Sequence, residues 1–169
     1  MSNFEEAKPA ATIESRFLIY QCGDKTFGTP LTTIREIIKS RYVKPVANTA
    51  EYFMGLVNIR GQVVGIVDLT AKLEIDIRQN KDNDRAVFIV VDTDEGAMGV
   101  SVDKVLSVQE ISSVNIDFNP KVESNINPQE LIGIAEFDDN FIILMDLKET
   151  LSNTSLLSFG ESKFIDSAV

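Results

Sequence analysis

The composition of this chain is that of an ordinary folded protein, and its charge limits the partners that it can bind. The chain has 169 residues, of which 44% are hydrophobic, and its formal net charge is -10. Because an acidic surface repels phosphates and anionic headgroups, nucleic acid and anionic membrane surfaces are excluded as partners. The sequence contains no histidine, which is the most frequent general base and a frequent metal ligand. We therefore expect no histidine-dependent catalysis, no metal site and no cofactor.

The two ends of the chain and its longest apolar runs bear on where it resides. Residues 1–16 mix charged and small side chains and lack the apolar centre of a signal peptide. The longest apolar runs, such as residues 86–91, are far shorter than the roughly 20 residues that cross a bilayer. We therefore predict a cytoplasmic protein with polar, flexible tails over residues 1–14 and 153–169.

The first half of the chain begins with short apolar segments separated by turn residues, the pattern typical of β-hairpins. The first predicted hairpin joins residues 17–22 to residues 26–28. Residues 31–39 then place apolar side chains at helical spacing, which predicts a helix. The second hairpin joins residues 53–59 to residues 63–67.

The second half repeats this order of elements. Asp68 can cap a short helix, and the polar residues 78–85 are predicted to link the two halves. Two further hairpins are predicted over residues 86–102 and 131–145, and Asp146 can cap a second short helix. The chain is therefore predicted to be mainly β, with little helix.

The two halves of the chain match each other at fixed spacings. A shift of 78 residues lays residues 55–69 on residues 133–147 without a gap, and a shift of 71 residues lays Ile34 on Val105. Because one small β unit has little core of its own, two copies are expected to pack together as two small barrels. We place the lobes at about residues 15–80 and 81–152 of a single domain.

Two acidic stretches are predicted to be turns. The segment from Asp92 to Gly96 resembles the start of a calcium loop, but it lacks the later ligands and is flanked by predicted strands. Asp138 and Asp139 could form an acid–base pair, but adjacent residues at a hairpin tip are solvated. The sequence offers neither a nucleophile with its base nor a phosphate-binding loop. We therefore predict that the chain is not an enzyme.

Four blocks of sequence resemble one known family. The segment Phe53-Met-Gly-Leu-Val-Asn-Ile-Arg-Gly, followed by Val-Asp-Leu, resembles the Gly-Val-Ile-Asn-Leu-Arg-Gly and Val-Asp-Leu signature of the bacterial chemotaxis coupling protein CheW. Residues 17–38, 98–108 and 131–147 resemble other blocks of that family, in the same order. The resemblance covers about residues 16–152.

The resemblance implies a fold, a function and two partners. The implied fold is mainly β, with two tandem SH3-like five-stranded β-barrel lobes packed together and short helices. The implied function is that of an adaptor, which joins the cytoplasmic tips of chemoreceptors to the regulatory domain of the histidine kinase CheA. By motif position, the receptor-facing residues would be Ile34, Gly55, Val87, Gly99 and Val105.

The resemblance also implies a kinase-facing surface and a structural ion pair. Leu31 and Val63 would face the kinase. Glu36 and Arg60 match the family's Glu and Arg, and would pair as a brace for the receptor-facing groove. As an adaptor of receptors, the protein would be recruited to arrays attached to the membrane.

Two other interpretations stay open at this point. The chain could be a CheW-like adaptor of another chemosensory pathway, such as one that drives surface motility. It could also carry a small molecule, since barrels can hold ligands, although small duplicated barrels leave little interior space.

Overall fold

The computed structural model describes residues 14–75, 86–121 and 126–152. The predicted link and the predicted tails lie outside these residues, except that Glu14 begins the first strand. No helix in the described ranges is long and apolar enough to cross a membrane.

The fold is mainly β, as the sequence predicted. The strands are β1 (Glu14–Cys22), β2 (Lys25–Pro30), β3 (Ile34–Lys39), β4 (Phe53–Ile59), β5 (Gln62–Asp68), β6 (Val87–Thr93), β7 (Gly96–Val102), β8 (Lys104–Ser112), β9 (Ile116–Asp117), β10 (Leu131–Phe137) and β11 (Asn140–Met145). The four predicted hairpins are confirmed as β1–β2, β4–β5, β6–β7 and β10–β11. Two short helices follow β5 and β11, namely α1 (Leu69–Lys72) and α2 (Leu147–Ser152).

The helix predicted for residues 31–39 is wrong, because a bulged strand imitates helical spacing. The first three of these residues form a single 3-10 turn, and the others form β3. A β-bulge at Arg35 shifts the pairing of β3 with β6. The bulge returns Ile37 to the same face as Ile34, while Ile38 faces the other side. Because Ile34 and Ile38 pack against two different cores, apolar residues are needed on both faces.

The strands form two sheets, and each sheet contains strands from both halves of the sequence. One sheet has the order β3-β6-β7-β5-β4, and the other has the order β8-β1-β2-β11-β10-β9. Each sheet curls around an apolar core of its own, and we term them the five-stranded barrel and the six-stranded barrel. The lobe boundary predicted near residue 80 needs correction, because β1 pairs with β8 and β2 pairs with β11. The five-stranded barrel is therefore inserted, as β3 to β7, between β2 and β8 of the six-stranded barrel.

The strand registers reproduce the repeat found in the sequence. Ile34 pairs with Val91 on β6, and Val105 pairs with Tyr20 on β1, so both positions of the repeat have equivalent neighbours. A bulge follows at the next residue in both strands. The β4–β5 and β10–β11 hairpins also share one register irregularity at the same position. The repeat therefore relates positions of one barrel to positions of the other.

The described residues form three apolar cores, one inside each barrel and one between the two barrels. Phe88 and Val90 belong to the core inside the five-stranded barrel, and Ile19 belongs to the core inside the six-stranded barrel. The third core lies between the barrels, and we term it the inter-barrel core. Its buried members include Leu18, Tyr20, Ile89, Val91, Val100, Leu147 and Leu151. Because β1 and β6 pack on both faces, each contains an unbroken apolar run, over residues 17–20 and 87–91.

Each barrel is closed where a segment of backbone crosses over a glycine. Lys44 exchanges two backbone hydrogen bonds of 2.8 Å with Leu56 on β4. This segment covers Gly55, which has a φ of 138°, and a Cβ added there would lie 2.6 Å from the carbonyl carbon of Lys44. In the six-stranded barrel, a Cβ added at Gly133 would lie 2.5 Å from the carbonyl oxygen of Asp117 on β9. Only glycine lets the backbones approach so closely.

The predicted helix caps are both present. The Asp68 carboxylate accepts a hydrogen bond of 3.3 Å from the backbone amide of Ala71 in α1. The Asp146 carboxylate accepts an equivalent bond of 3.2 Å from Glu149 in α2. Helix α2 buries Leu151 in the inter-barrel core, so the caps hold short helices against both barrels.

Candidate functional site

Three of the predicted receptor-facing residues lie along the margin of the inter-barrel core. Ile34 on β3, Val87 on β6 and Val105 on β8 are partly buried, and all three pack against that core. Ile34 and Val105 occupy equivalent positions on the edge strands of the two barrels. Each barrel therefore contributes an apolar edge to one shared margin.

Two exposed side chains beside these residues were missed by the sequence interpretation. Ile37 is 41% exposed and Val108 is 48% exposed, and they too are equivalent positions of the repeat. The registers place them next to Ile89 and Leu18, which belong to the inter-barrel core. The shift of 71 residues relates Ile37 to Val108, so the repeat could have identified the pair. The helix predicted for residues 31–39 was wrong, and it did not place Ile37 on an exposed strand face. We term these five residues the seam surface: Ile34, Ile37, Val87, Val105 and Val108.

The seam surface has an apolar centre and a charged rim. Lys39 is exposed and pairs opposite Val87 at one end of β3. Arg16 and Glu110 form an exposed ion pair of 3.6 Å, two residues along β8 from Val108. Partly exposed aliphatic groups within a polar rim are typical of protein-binding surfaces.

Gly55 and Gly99 are not brought to the seam surface. Gly55 is buried beneath Lys44, as described above. A Cβ added at Gly99 would lie 2.9 Å from the side chain of Ile66, which belongs to the core inside the five-stranded barrel. Both glycines therefore shape the five-stranded barrel. They can affect a partner at the seam surface only indirectly, through the positions of the strands.

The two residues predicted to face the kinase lie in different environments. Leu31 is in the 3-10 turn before β3, and it packs against the inter-barrel core. Val63 is on the outer surface of β5 and is 61% exposed. It pairs with Asn58 of β4, which is also exposed. The structure therefore gives Val63 a surface of its own, away from the core that Leu31 contacts.

The Glu36–Arg60 ion pair is present, and it forms part of a polar clasp between β3 and the β4–β5 turn. Arg60 Nη2 lies 3.3 Å from Glu36 Oε2. Arg35 Nη1 donates a hydrogen bond of 2.9 Å to Gln62 Oε1 and lies 3.1 Å from Asp92 Oδ1. The Glu36 side chain is 18% exposed but that of Arg60 is 84% exposed. Solvent therefore screens the pair, which is weaker than a buried one.

The inter-barrel core contains two titratable groups that are held neutral. The hydroxyl of Tyr20 lies 2.8 Å from Thr29 Oγ1, which in turn donates a hydrogen bond of 3.1 Å to the backbone carbonyl of Met145. Burial raises the pKa of Tyr20 above its ordinary value, and it raises the pKa of Cys22 to about 12. A thiol that stays protonated is a poor nucleophile, so Cys22 acts as a core residue.

The described part of the chain offers several surfaces for binding. No group of three His, Cys, Asp or Glu side chains that could hold a metal ion occurs among the described residues. The interior of each barrel is filled by side chains such as Phe88 and Ile142. Among these surfaces are the seam surface, the polar clasp and the outer face of β5 around Val63.

Comparison with known proteins agrees with this fold. Residues 16–155 match the family described as CheW-like domain. The chain is 27% identical to "Chemotaxis protein CheW" of Klebsiella aerogenes, with 86% of each chain covered. It is 24% identical to "Protein FrzA" of Myxococcus xanthus, with 75% of this chain and 78% of the relative covered. The crystal structure of scaffolding protein TtCheW from Thermoanaerobacter tengcongensis has the same fold, with a TM-score of 0.72 and 24% identity over 80% of this chain and 86% of that chain.

Proposed function

The chain belongs to the CheW-like domain family, and from this membership we propose that it is a non-catalytic chemotaxis adaptor. It couples the cytoplasmic tips of chemoreceptors to the regulatory domain of the histidine kinase CheA. The observation that carries this proposal is the family match over residues 16–155, which spans both barrels. The protein works in the cytoplasm, where its partners recruit it to membrane-attached receptor arrays.

The receptor contacts the seam surface. Ile37 and Val108 supply exposed aliphatic groups from both barrels, and Ile34 and Val105 extend them toward the inter-barrel core. Burying such groups against a partner's apolar side chains gives most of the binding energy at protein interfaces. Gly55 and Gly99 contribute by holding the strands of the five-stranded barrel close together.

The kinase contacts a different part of the five-stranded barrel. Val63 is the exposed anchor on β5, and Leu31 contributes from a second place, the 3-10 turn before β3. Between these surfaces, the Glu36–Arg60 pair braces β3, which carries two residues of the seam surface. A brace of this kind affects receptor binding without touching the receptor.

The experiment compares two sets of substitutions for binding to a receptor cytoplasmic fragment and to the kinase regulatory domain. Ile37→Asp and Val108→Asp place a charge on the exposed part of the seam surface, and Ile34→Asp and Val105→Asp place it deeper. We expect receptor affinity to fall by about tenfold or more, because a desolvated charge is costly at an apolar contact. Val63→Asp and Leu31→Asp should instead weaken kinase binding.

Two features of the design separate binding from folding. Tyr42 is 83% exposed and belongs to neither set of residues, so Tyr42→Asp is the matched control and should leave both affinities unchanged. Ile37, Val108 and Val63 are also exposed enough for Asp to be tolerated, and circular dichroism checks this. If folded variants of both sets lose both partners equally, the assignment of two separate surfaces is wrong.

One relative favours a second candidate function. Protein FrzA of Myxococcus xanthus matches over 75% of this chain, so an adaptor of another chemosensory pathway, such as one for surface motility, has support. The two candidates differ in which receptor and which kinase bind, and not in the surfaces used. Affinity purification of the intact protein from its own cells, followed by mass spectrometry, distinguishes them.

A further inference from the structure

A small pocket lies beside the β10–β11 turn of the six-stranded barrel. Its volume is about 260 Å³. This is below the range of roughly 300–1,000 Å³ typical of sites for drug-sized ligands, so it suits one side chain. Ile19 and Ile142 of the barrel core are buried and form an apolar floor, and the other lining residues include the polar Thr26, Ser107, Gln109, Asp138 and Asn140. We term it the Asp138 pocket.

The repeat shows what occupies the same place in the other barrel. Ser107 and Asp138 are the repeat mates of Glu36 and Arg60, which form the ion pair of the polar clasp. Leu106 and Asn140 are likewise the mates of Arg35 and Gln62, which form its hydrogen bond. The five-stranded barrel thus supplies two arginines at its clasp, and the six-stranded barrel supplies none at these positions.

The rim of the Asp138 pocket contains a carboxylate beside side-chain amides that can still accept hydrogen bonds. The Asn140 amide nitrogen donates to the backbone carbonyl of Asp138 at 3.1 Å, and the Gln109 amide nitrogen donates to Ser107 Oγ at 3.2 Å. Each bond uses one of the two N–H donors of its amide, and within the described residues no hydrogen bond is accepted by either side-chain oxygen. Within the described ranges, the structure shows no cation paired with the Asp138 carboxylate.

We propose that the Asp138 pocket is a docking point for an arginine side chain of a partner protein. A guanidinium carries five donors in a planar fork, so it can serve a carboxylate and neighbouring amide oxygens together. Its aliphatic stem would cover the floor formed by Ile19 and Ile142. The net charge of -10 adds a general attraction for basic partners. The pocket shares strand β8 with the seam surface, but its lining residues differ from Val105 and Val108 and do not include Val63.

The test is an NMR titration of the 15N-labelled full chain with Nα-acetyl-arginine amide. The matched ligand is Nα-acetyl-citrulline amide, which has the same shape without the charge. The arginine compound should shift the amide signals of residues 106–109 and 137–142, and the citrulline compound should not. Equal shifts from both compounds, or shifts scattered over the acidic surface, would overturn the proposal.

Two variants localise the effect to the pocket. Asp138→Asn should weaken binding of the arginine compound by about tenfold, since a charged hydrogen bond is lost. Asp139→Asn removes the same charge from the next residue of the turn, which does not line the pocket, and should change the affinity by less than about twofold. The proposal fails if both variants have the same effect.

A third variant fills the pocket from within the chain. The double substitution Ser107→Glu with Asp138→Arg rebuilds the ion pair of the other barrel, so it should abolish binding of the arginine compound while the spectrum stays that of a folded protein. Unchanged binding by this variant would show that the compound binds elsewhere. Because the titration contains neither receptor nor kinase, its result is independent of the adaptor proposal.

Discussion

The two barrels share their strand registers but differ in the side chains that close them. Both have a hairpin turn with two residues at positive φ, namely Arg60 at 53° and Gly61 at 83° in one barrel, and Asp138 at 49° and Asp139 at 60° in the other. In the five-stranded barrel this turn is joined to β3 by the polar clasp. In the six-stranded barrel the same place is a pocket. Backbone pairing therefore fixes the common fold, and the turn positions are free to take different functions.

The largest expected difference between the barrels concerns the glycines beneath their closing segments. Gly55→Ala combines a positive φ of 138° with a Cβ that would lie 2.6 Å from the Lys44 backbone. We expect the free energy of unfolding to fall by about 4 kcal/mol, from strained backbone and overpacking together. Gly133→Ala lacks the positive φ and has only close contacts, with the backbone of Asp117 and the side chain of Ile116, so it should cost about 2 kcal/mol. Urea unfolding measures both.

Gly61→Ala is the matched control for backbone strain. Gly61 has a φ of 83° but nothing within 4 Å of an added Cβ, so its cost should be about 1 kcal/mol. If Gly55→Ala lowers the free energy of unfolding by no more than Gly61→Ala does, the segment around Lys44 can move aside at little cost. The contact at Gly55 would then not be what closes the barrel.

The next difference is in how alkaline pH acts on the central strands. β1 carries Tyr20 and Cys22, whereas the equivalent positions on β6 are Val91 and Thr93. Burial raises the Cys22 pKa from 9.0 to about 12, so above pH 9 the unfolded chain loses a proton that the folded chain keeps. The contribution of Cys22 is therefore fully present below pH 9 and should fall by about 1.4 kcal/mol per pH unit between these two pKa values. Burial raises the pKa of Tyr20 as well, so the decline should become steeper above about pH 10.

Urea unfolding at several pH values measures this dependence. The free energy of unfolding should be constant from about pH 7 to 8.5 and should decline above pH 9. Cys22→Ala lowers stability at neutral pH through lost packing but should give a flatter profile. A profile that declines equally in both proteins would mean that the thiol does not contribute.

The smallest effect is expected at the polar clasp, where a double-mutant cycle measures the coupling of Glu36 and Arg60. Because Arg60 is 84% exposed, the coupling free energy should be below about 1 kcal/mol in stability. Arg60→Ala and Glu36→Ala should each weaken receptor binding, and the double variant should be less harmed than their sum. Strict additivity in both measurements would show that the clasp does not act as a unit.

Local features of the fold could be predicted from the sequence, and long-range ones could not. The four hairpins were predictable because each strand lies next to its partner and ends in turn residues. The edge strand β3 was not, since its bulge at Arg35 imitates helical spacing. The pairing of β1 and β2 with strands of the second half was also not predictable. The two copies have equivalent registers, and sequence periodicity does not show which copy a strand will join.

The candidate site was predictable to a similar extent. The motif positions placed Ile34, Val87 and Val105, which share the margin of the inter-barrel core. They did not show that Gly55 and Gly99 are buried, because a sequence motif gives the position of a residue in the chain and not its solvent exposure. The Asp138 pocket became visible only after the registers aligned the two turns in space.

The insertion of one barrel within the other has a consequence for synthesis on the ribosome. All five strands of the inserted barrel emerge before β8 does, whereas Leu18 pairs with Val108, a residue 90 positions later. At roughly 5–20 residues per second, β1 waits about 5 to 18 seconds for this neighbour. During that time its apolar side chains have only β2 and the inserted barrel to cover them. Nascent chains that stop before β8 should therefore need a chaperone, even though one barrel is already complete.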